Sequence, residues 1–227
     1  MHSQSVDTPP RTSEPSTAVR AAIASALSSL LLLVLVVADW GPLMTLDRVV
    51  ARTTHDWAVE ESGLTRAFRI LTDWVWDPLT MRLLCAAVVL WLVLRRSAWW
   101  TALWLVVTVA VTTGVQQAMK AAVGRERPEW PDPVDSAHYA AYPSGHAMTA
   151  TVVLGLLLWL LRHHGAGHTL VRAALAVTGV SVIGVGLTRV WLGVHWLTDV
   201  VAGWLLGAMV VAVAVTVHER RHPAGNR

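Results

Sequence analysis

The sequence predicts an all-α protein: a bundle of six transmembrane helices with short amphipathic surface helices in the first extracytoplasmic loop. Three observations carry this. Of 227 residues, 54% are hydrophobic and only 15% charged, well below the roughly 25% charged residues of a soluble domain. Six apolar stretches approach the ~20 residues that a helix needs to cross a bilayer. None of them has the strict alternation of a half-buried strand.

The elements follow in order. Residues 1–19, rich in Ser, Thr and Pro and without apolar periodicity, read as a disordered cytoplasmic tail. The first span, 20–38, is too long for the apolar part of a cleaved leader. Residues 39–78 are too polar to cross. Within them, 46–58 and 64–74 carry apolar residues at helical spacing, for example Leu64, Ala67, Phe68 and Leu71, and read as helices lying on the membrane surface. Five more spans are expected at 79–94, 98–119, 146–161, 170–187 and 196–217. Residues 20–217 therefore form one membrane domain, and 218–227 a cytoplasmic tail. Trp40, Trp74, Trp76, Trp99, Trp100 and Trp159 fall near helix ends, where indoles favour the headgroup layer. The single cysteine, Cys85, excludes an intrachain disulfide. Gly203 and Gly207 have the spacing of a close helix contact inside the bundle.

The formal charge is +3 and the isoelectric point about 9.7. On so apolar a chain this fits basic loops flanking a bilayer, not a nucleic-acid surface. The short turns holding Arg95, Arg96, Arg162 and Arg172 lie on the side of the N-terminus. By the positive-inside rule both termini are then cytoplasmic and the loops around 39–78, 120–145 and 188–196 extracytoplasmic.

Three polar clusters interrupt the apolar chain, all on that outer side: Lys120-x6-Arg127-Pro128, Pro143-Ser144-Gly145-His146 and Arg189-x5-His195-x3-Asp199. Ionisable groups beside hydrocarbon cost a few kcal/mol each unless paired or hydrated, about 2.5–3.5 at a span centre, so their gathering at one rim indicates a shared site. Each cluster suits a phosphate. Lys120, Arg127 and Arg189 bring three positive charges, and arginine offers planar paired donors. Ser144 and Gly145 open a helix whose free N–H groups favour an anion. His195 and Asp199, four apart, share a helical face, and a carboxylate on one imidazole nitrogen leaves the other free as a nucleophile. His146 is the complementary acid for the leaving alkoxide. Arg125, Glu126 and Glu129 read as rim charges, and His138 and Tyr139 as candidate headgroup contacts. Gln116 and Gln117 read as interhelical hydrogen-bonding groups. His163, His164 and His168 form a polar inner turn whose spacing matches no zinc motif; no metal and no cofactor are expected.

These motifs, in this order between apolar spans, resemble the type 2 phosphatidic acid phosphatase superfamily of lipid phosphate phosphatases, whose motifs the vanadium haloperoxidases and bacterial acid phosphatases share. The resemblance implies that His195 is a nucleophile forming a phosphohistidine, oriented by Asp199. It implies that His146 is the general acid and that Lys120, Arg127, Ser144, Gly145 and Arg189 hold the phosphate. One departure is Thr188, where the family usually has serine. The expected substrate is a membrane lipid phosphate: undecaprenyl diphosphate, phosphatidic acid or phosphatidylglycerol phosphate. The competing reading is a lipid or prenyl-phosphate transporter that uses the cationic rim for binding only. Against it, no polar residue marks a path through the span centres. A haloperoxidase has no use for six spans.

Overall fold

The computed structural model describes residues 16–221. The segments 1–15 and 222–227, expected as parts of tails, lie outside the described residues. Among the described residues eight α-helices follow in order: α1 Thr17–Val37, α2 Gly41–Glu60, α3 Ser62–Ile70, α4 Pro78–Arg96, α5 Trp99–Val123, α6 Gly145–His163, α7 His168–Trp191 and α8 Leu197–Arg221. One π-helical turn, Leu71–Val75, extends α3. No strand occurs among the described residues. Among the described residues six segments are long and apolar enough to cross a membrane: α1, the stretch Ser62–Arg96 that contains α4, and α5 to α8.

The side chains are distributed as in a bilayer. Ile23, Leu27, Leu30 and Leu31 of α1, Leu103, Val106 and Val111 of α5, and Leu175, Val177 and Val180 of α7 all face outward. In water such surfaces would associate. Around hydrocarbon they are the solvated face. The centre is α6, which buries Ala147, Met148, Ala150, Val152, Val153, Leu156 and Leu160 against α4, α5, α7 and α8.

Glycine sets the closest approach. A Cβ on Gly203 would lie 2.7 Å from the Ser144 carbonyl oxygen, and one on Gly207 2.7 Å from Thr151 Cβ. The two glycines of α8 thus let it lie directly on α6, as the spacing predicts. That contact also fixes Ser144, where α6 begins. Gly203→Val is expected to destabilise the bundle by about 1–3 kcal/mol, because the obstruction is backbone and cannot yield. Gly114→Ala is the control, since nothing lies within 4 Å of its would-be Cβ. Melting temperatures in detergent should fall for the first and hold or rise for the second.

The tryptophans depart from the expected pattern. Trp40, Trp74, Trp99 and Trp100 are exposed, but Trp76 is buried and packs on Gly184, whose would-be Cβ lies 2.6 Å from its ring. Trp159 stacks on His163 and meets His218 edge-on. Others tie elements together through the indole N–H. Trp204 donates to the Val182 carbonyl at 2.8 Å, Trp104 to Ala214 at 3.2 Å and Trp191 to Thr65 Oγ1 at 2.9 Å. A span boundary accounts for the exposed set; a need for a donor in an apolar bundle accounts for these.

The 39–78 segment forms two helices, as its periodicity predicts, in α2 and α3. Yet α2 is part of the bundle and not only a surface element. It packs on α7 and α8 and buries Met44, Asp47, Ala51, His55 and Ala58 along one stripe.

Candidate active site

The C-terminal ends of α5 and α7 and the N-terminal ends of α6 and α8 meet at one end of the bundle. Lys120 and Arg189 lie on the first pair, Gly145, His146 and Asp199 on the second. Arg127 and Ser144 come from the connection between α5 and α6, and His195 from the turn between α7 and α8. The eight residues chosen from sequence are therefore brought to one end.

His195 and Asp199 are buried, with Nδ1 3.3 Å from Asp199 Oδ2. The Trp196 backbone N–H donates to the same oxygen at 2.9 Å. An Asp199 carboxylate needs the proton on His195 Nδ1, which leaves a lone pair on Nε2. Nε2 faces Arg127 Nη1 at 3.2 Å. Burial, then Arg127, Arg189 and Lys120, hold the His195 imidazole well below its ordinary range. It is neutral near pH 7, so the lone pair is available.

The cations are held largely by neutral groups. Lys120 Nζ donates to the Ala140 carbonyl. Arg127 donates to the carbonyls of Val194, Tyr139 and His138. Carbonyls orient these side chains without cancelling their charge. Burial is the main cause that lowers the Arg127 pKa. Arg189 is buried, its Nη1 3.8 Å from Asp135 Oδ2 and its Nε without a hydrogen-bond partner. His138 and Tyr139 enter through their carbonyls, while the Tyr139 side chain is exposed.

Ser144 caps α6 with no side-chain hydrogen bond, and its buried Oγ has no partner. Its backbone N–H donates to the Asp199 carbonyl at 2.9 Å. Gln116, expected as an interhelical group, lies against Gly145: its amide nitrogen would be 2.5 Å from a Cβ there. His146 Nε2 lies 3.8 Å from Asp77 Oδ2, and Asp77 caps α4 by accepting the Leu79 N–H at 2.7 Å. Thr188 Oγ1 donates to the Val185 carbonyl at 2.8 Å, so its hydroxyl serves its own helix.

Arg125 corrects the sequence reading. It is not a rim charge: its side chain is only 12% exposed and sits between Asp199 and Asp47 of α2. Nη1 donates to Asp199 Oδ1 at 2.6 Å and to Thr198 Oγ1 at 2.7 Å, and Nη2 to Asp47 Oδ2 at 2.7 Å. Asp47 was overlooked because it precedes the motifs by more than 70 residues. A signal was present: it falls in register with Met44 and Ala51 on the apolar stripe of α2, where a carboxylate needs a partner.

The loop over the site is pinned by more groups that sequence reasoning passed over. Trp130 stacks on His55 with ring centroids 4.0 Å apart and donates to the Gly193 carbonyl at 2.9 Å. Gly193 has φ +67°, and a Cβ there would lie 2.5 Å from the indole nitrogen. Tyr142 is fully buried, its phenol pushed up to about 12 by burial and by the charge of Asp199. Among the described residues no cluster of three or more His, Cys, Asp or Glu side chains is arranged to hold a metal ion.

The model of the PAP2 superfamily matches residues 101–223. Phosphatidylglycerophosphatase B of Bacillus subtilis (strain 168) is 29% identical over 114 residues, covering 49% of this chain and 55% of that protein. The undecaprenyl-diphosphatase of Sulfolobus acidocaldarius is 36% identical over 84 residues, covering 34% of this chain and 33% of that one. The chain thus spans about half the length of the first relative and a third of the second. The crystal structure of a transmembrane PAP2 type phosphatidylglycerolphosphate phosphatase from Bacillus subtilis superposes with a TM-score of 0.78 at 20% identity, covering 90% of this chain and 98% of that one. At that identity the likeness establishes the fold.

Proposed function

Since the chain belongs to the PAP2 superfamily, we propose that it is a membrane lipid phosphate phosphatase working through a phosphohistidine at the extracytoplasmic face. One observation carries the reading: Nε2 of a carboxylate-anchored, buried His195 lies 3.2 Å from Nη1 of Arg127, a cation whose other partners are backbone carbonyls. The proposed nucleophile and one arm of the proposed anion clamp are thus in direct contact.

In this mechanism Lys120, Arg127 and Arg189 bind the phosphoryl oxygens, with Ser144 Oγ and the backbone at Gly145 completing the cradle. His195 Nε2 attacks phosphorus as the bond to the lipid oxygen breaks. His146 protonates that oxygen, and the lipid alcohol, or the lipid monophosphate when the substrate is a diphosphate, leaves. Water then attacks the phosphohistidine with His146 accepting its proton, and orthophosphate departs. The cations stabilise charge that grows on the equatorial oxygens, the largest contribution such a site can make. Asp199 stabilises the charge that the imidazole acquires. The relatives' names bring phosphatidylglycerol phosphate and undecaprenyl diphosphate forward as substrates, with phosphatidic acid as the simplest monoester.

The basic residues divide almost evenly between the two ends, so the proposed orientation rests on the short turns at the end opposite the site, which hold Arg95, Arg96, Arg162 and Arg172, while Lys120, Arg127 and Arg189 at the site end serve the phosphate. With these turns inside, both termini are cytoplasmic and the site faces out.

The purified protein in detergent should release orthophosphate from at least one of the three lipids, at a rate unchanged by EDTA. A kcat/KM comparison across the panel ranks them. No release from any, or loss of activity to EDTA that added divalent ion restores, sinks the mechanism. Reconstituted vesicles that translocate lipid without releasing phosphate would favour the transporter reading instead.

A further inference from the structure

We propose that Arg125 and Asp47 are positioning residues for the nucleophile, acting through Asp199. The inference rests on the reading of His195 and Asp199 given above, and extends their pair to a relay of four groups drawn from three parts of the chain.

Asp199 has two carboxylate oxygens with different tasks. Oδ2 faces His195 Nδ1, and Oδ1 receives Arg125 Nη1 at 2.6 Å. Arg125 is in turn fixed on its other side. Nη2 donates to Asp47 Oδ2 at 2.7 Å and lies 3.5 Å from Met44 Sδ, and the guanidinium carbon is 5.6 Å from the centre of the Trp196 ring. Asp47 closes the cluster by accepting the Thr198 backbone N–H at 3.0 Å on Oδ1 and the Thr198 hydroxyl at 2.5 Å on Oδ2. It thus caps the N-terminus of α8 from α2, where the helix dipole favours an anion. Asp47 and Asp199 are at most 1% exposed.

Two opposed carboxylates on one planar guanidinium leave Asp199 little freedom to rotate, so Oδ2 stays aimed at Nδ1. The shared charge matters too. A lone Arg125 would draw Asp199 away from the imidazolium that forms during attack; Asp47 offsets it and keeps the carboxylate effective. None of these groups is among those assigned to the phosphate in the proposed mechanism. The expected signature is a loss in kcat with KM nearly unchanged.

A double-mutant cycle on the full-length protein, read as phosphate release, tests this. Arg125→Gln is expected to lower kcat by about 10- to 100-fold with KM within about twofold. In the Asp199→Asn background the same change should cost under about threefold, because the residue it acts through is already gone. Asp47→Asn, nearly isosteric, should show the same pattern at about tenfold and carries the test where Arg125→Gln does not fold. Losses that multiply in the cycle, wild-type kcat in both variants, or failure of both to fold overturn the inference; the last assigns the cluster to folding alone. Full activity of Asp199→Asn by itself would overturn instead the reading on which the inference rests.

Discussion

His195→Ala is expected to lower kcat on every lipid phosphate by about 10⁴-fold or more, because the bond-forming atom is gone and the cations alone retain only binding and charge stabilisation. KM should change far less, since Lys120, Arg127 and Arg189 remain to hold the phosphate. A base-quenched reaction with radiolabelled lipid phosphate gives a second readout. Wild-type protein should carry acid-labile label, and the variant none. Asp199→Asn is a sharper probe of the same step. Oδ2 already receives the Trp196 N–H and Oδ1 the Arg125 Nη1, so an amide must turn its NH₂ toward a donor in either orientation. Turned toward His195, the NH₂ ceases to fix the proton on Nδ1 and the lone pair on Nε2; turned toward Arg125, it meets Nη1 and loosens the group's hold. The expected cost is about 10²–10⁴-fold. A His195→Ala rate within tenfold of wild type would rule out the covalent route.

How much of this was legible before any coordinates follows from the range of each signal. Spans announce themselves by length and hydropathy, and the helices α1 and α4 to α8 lie within a few residues of the expected limits, although the second apolar stretch reaches back to Ser62. The motif residues converge because each lies near a helix end, and alternating spans force such ends onto one side. Arg125 was within a motif yet misjudged. A charge two residues from the motif arginine Arg127 looks like a rim residue until its partner is known, and that partner, Asp47, comes from a helix with no motif at all. Trp76 failed for a related reason: proximity to a span end says nothing about which face meets Gly184. Local pattern reads periodicity and caps; pairings between distant helices require the fold.

The second large effect separates the acid from the nucleophile by choice of substrate. His146 sits at the start of α6, 3.8 Å from Asp77, and in the proposed mechanism protonates the oxygen that leaves. If it supplies the proton, its removal should hurt in proportion to how poorly that oxygen leaves unprotonated. A phosphomonoester such as phosphatidic acid expels an aliphatic alkoxide, so His146→Asn should cost about 10²–10⁴-fold in kcat. A lipid diphosphate expels a lipid monophosphate, a far weaker base, and p-nitrophenyl phosphate a nitrophenolate; there the same variant should lose about tenfold or less before breakdown of the intermediate limits the rate. The ratio of the two losses is the measurement. Equal losses on good and poor leaving groups in the rate of the first, phosphohistidine-forming step would assign His146 to phosphate binding and remove it from protonation of the leaving oxygen. A steep dependence ties the acid to the leaving oxygen and also bears on the substrate. A wild-type protein nearly as fast on the alkoxide as on the phosphate leaving group devotes its acid to monoesters, whereas one strongly favouring the diphosphate has little need of it.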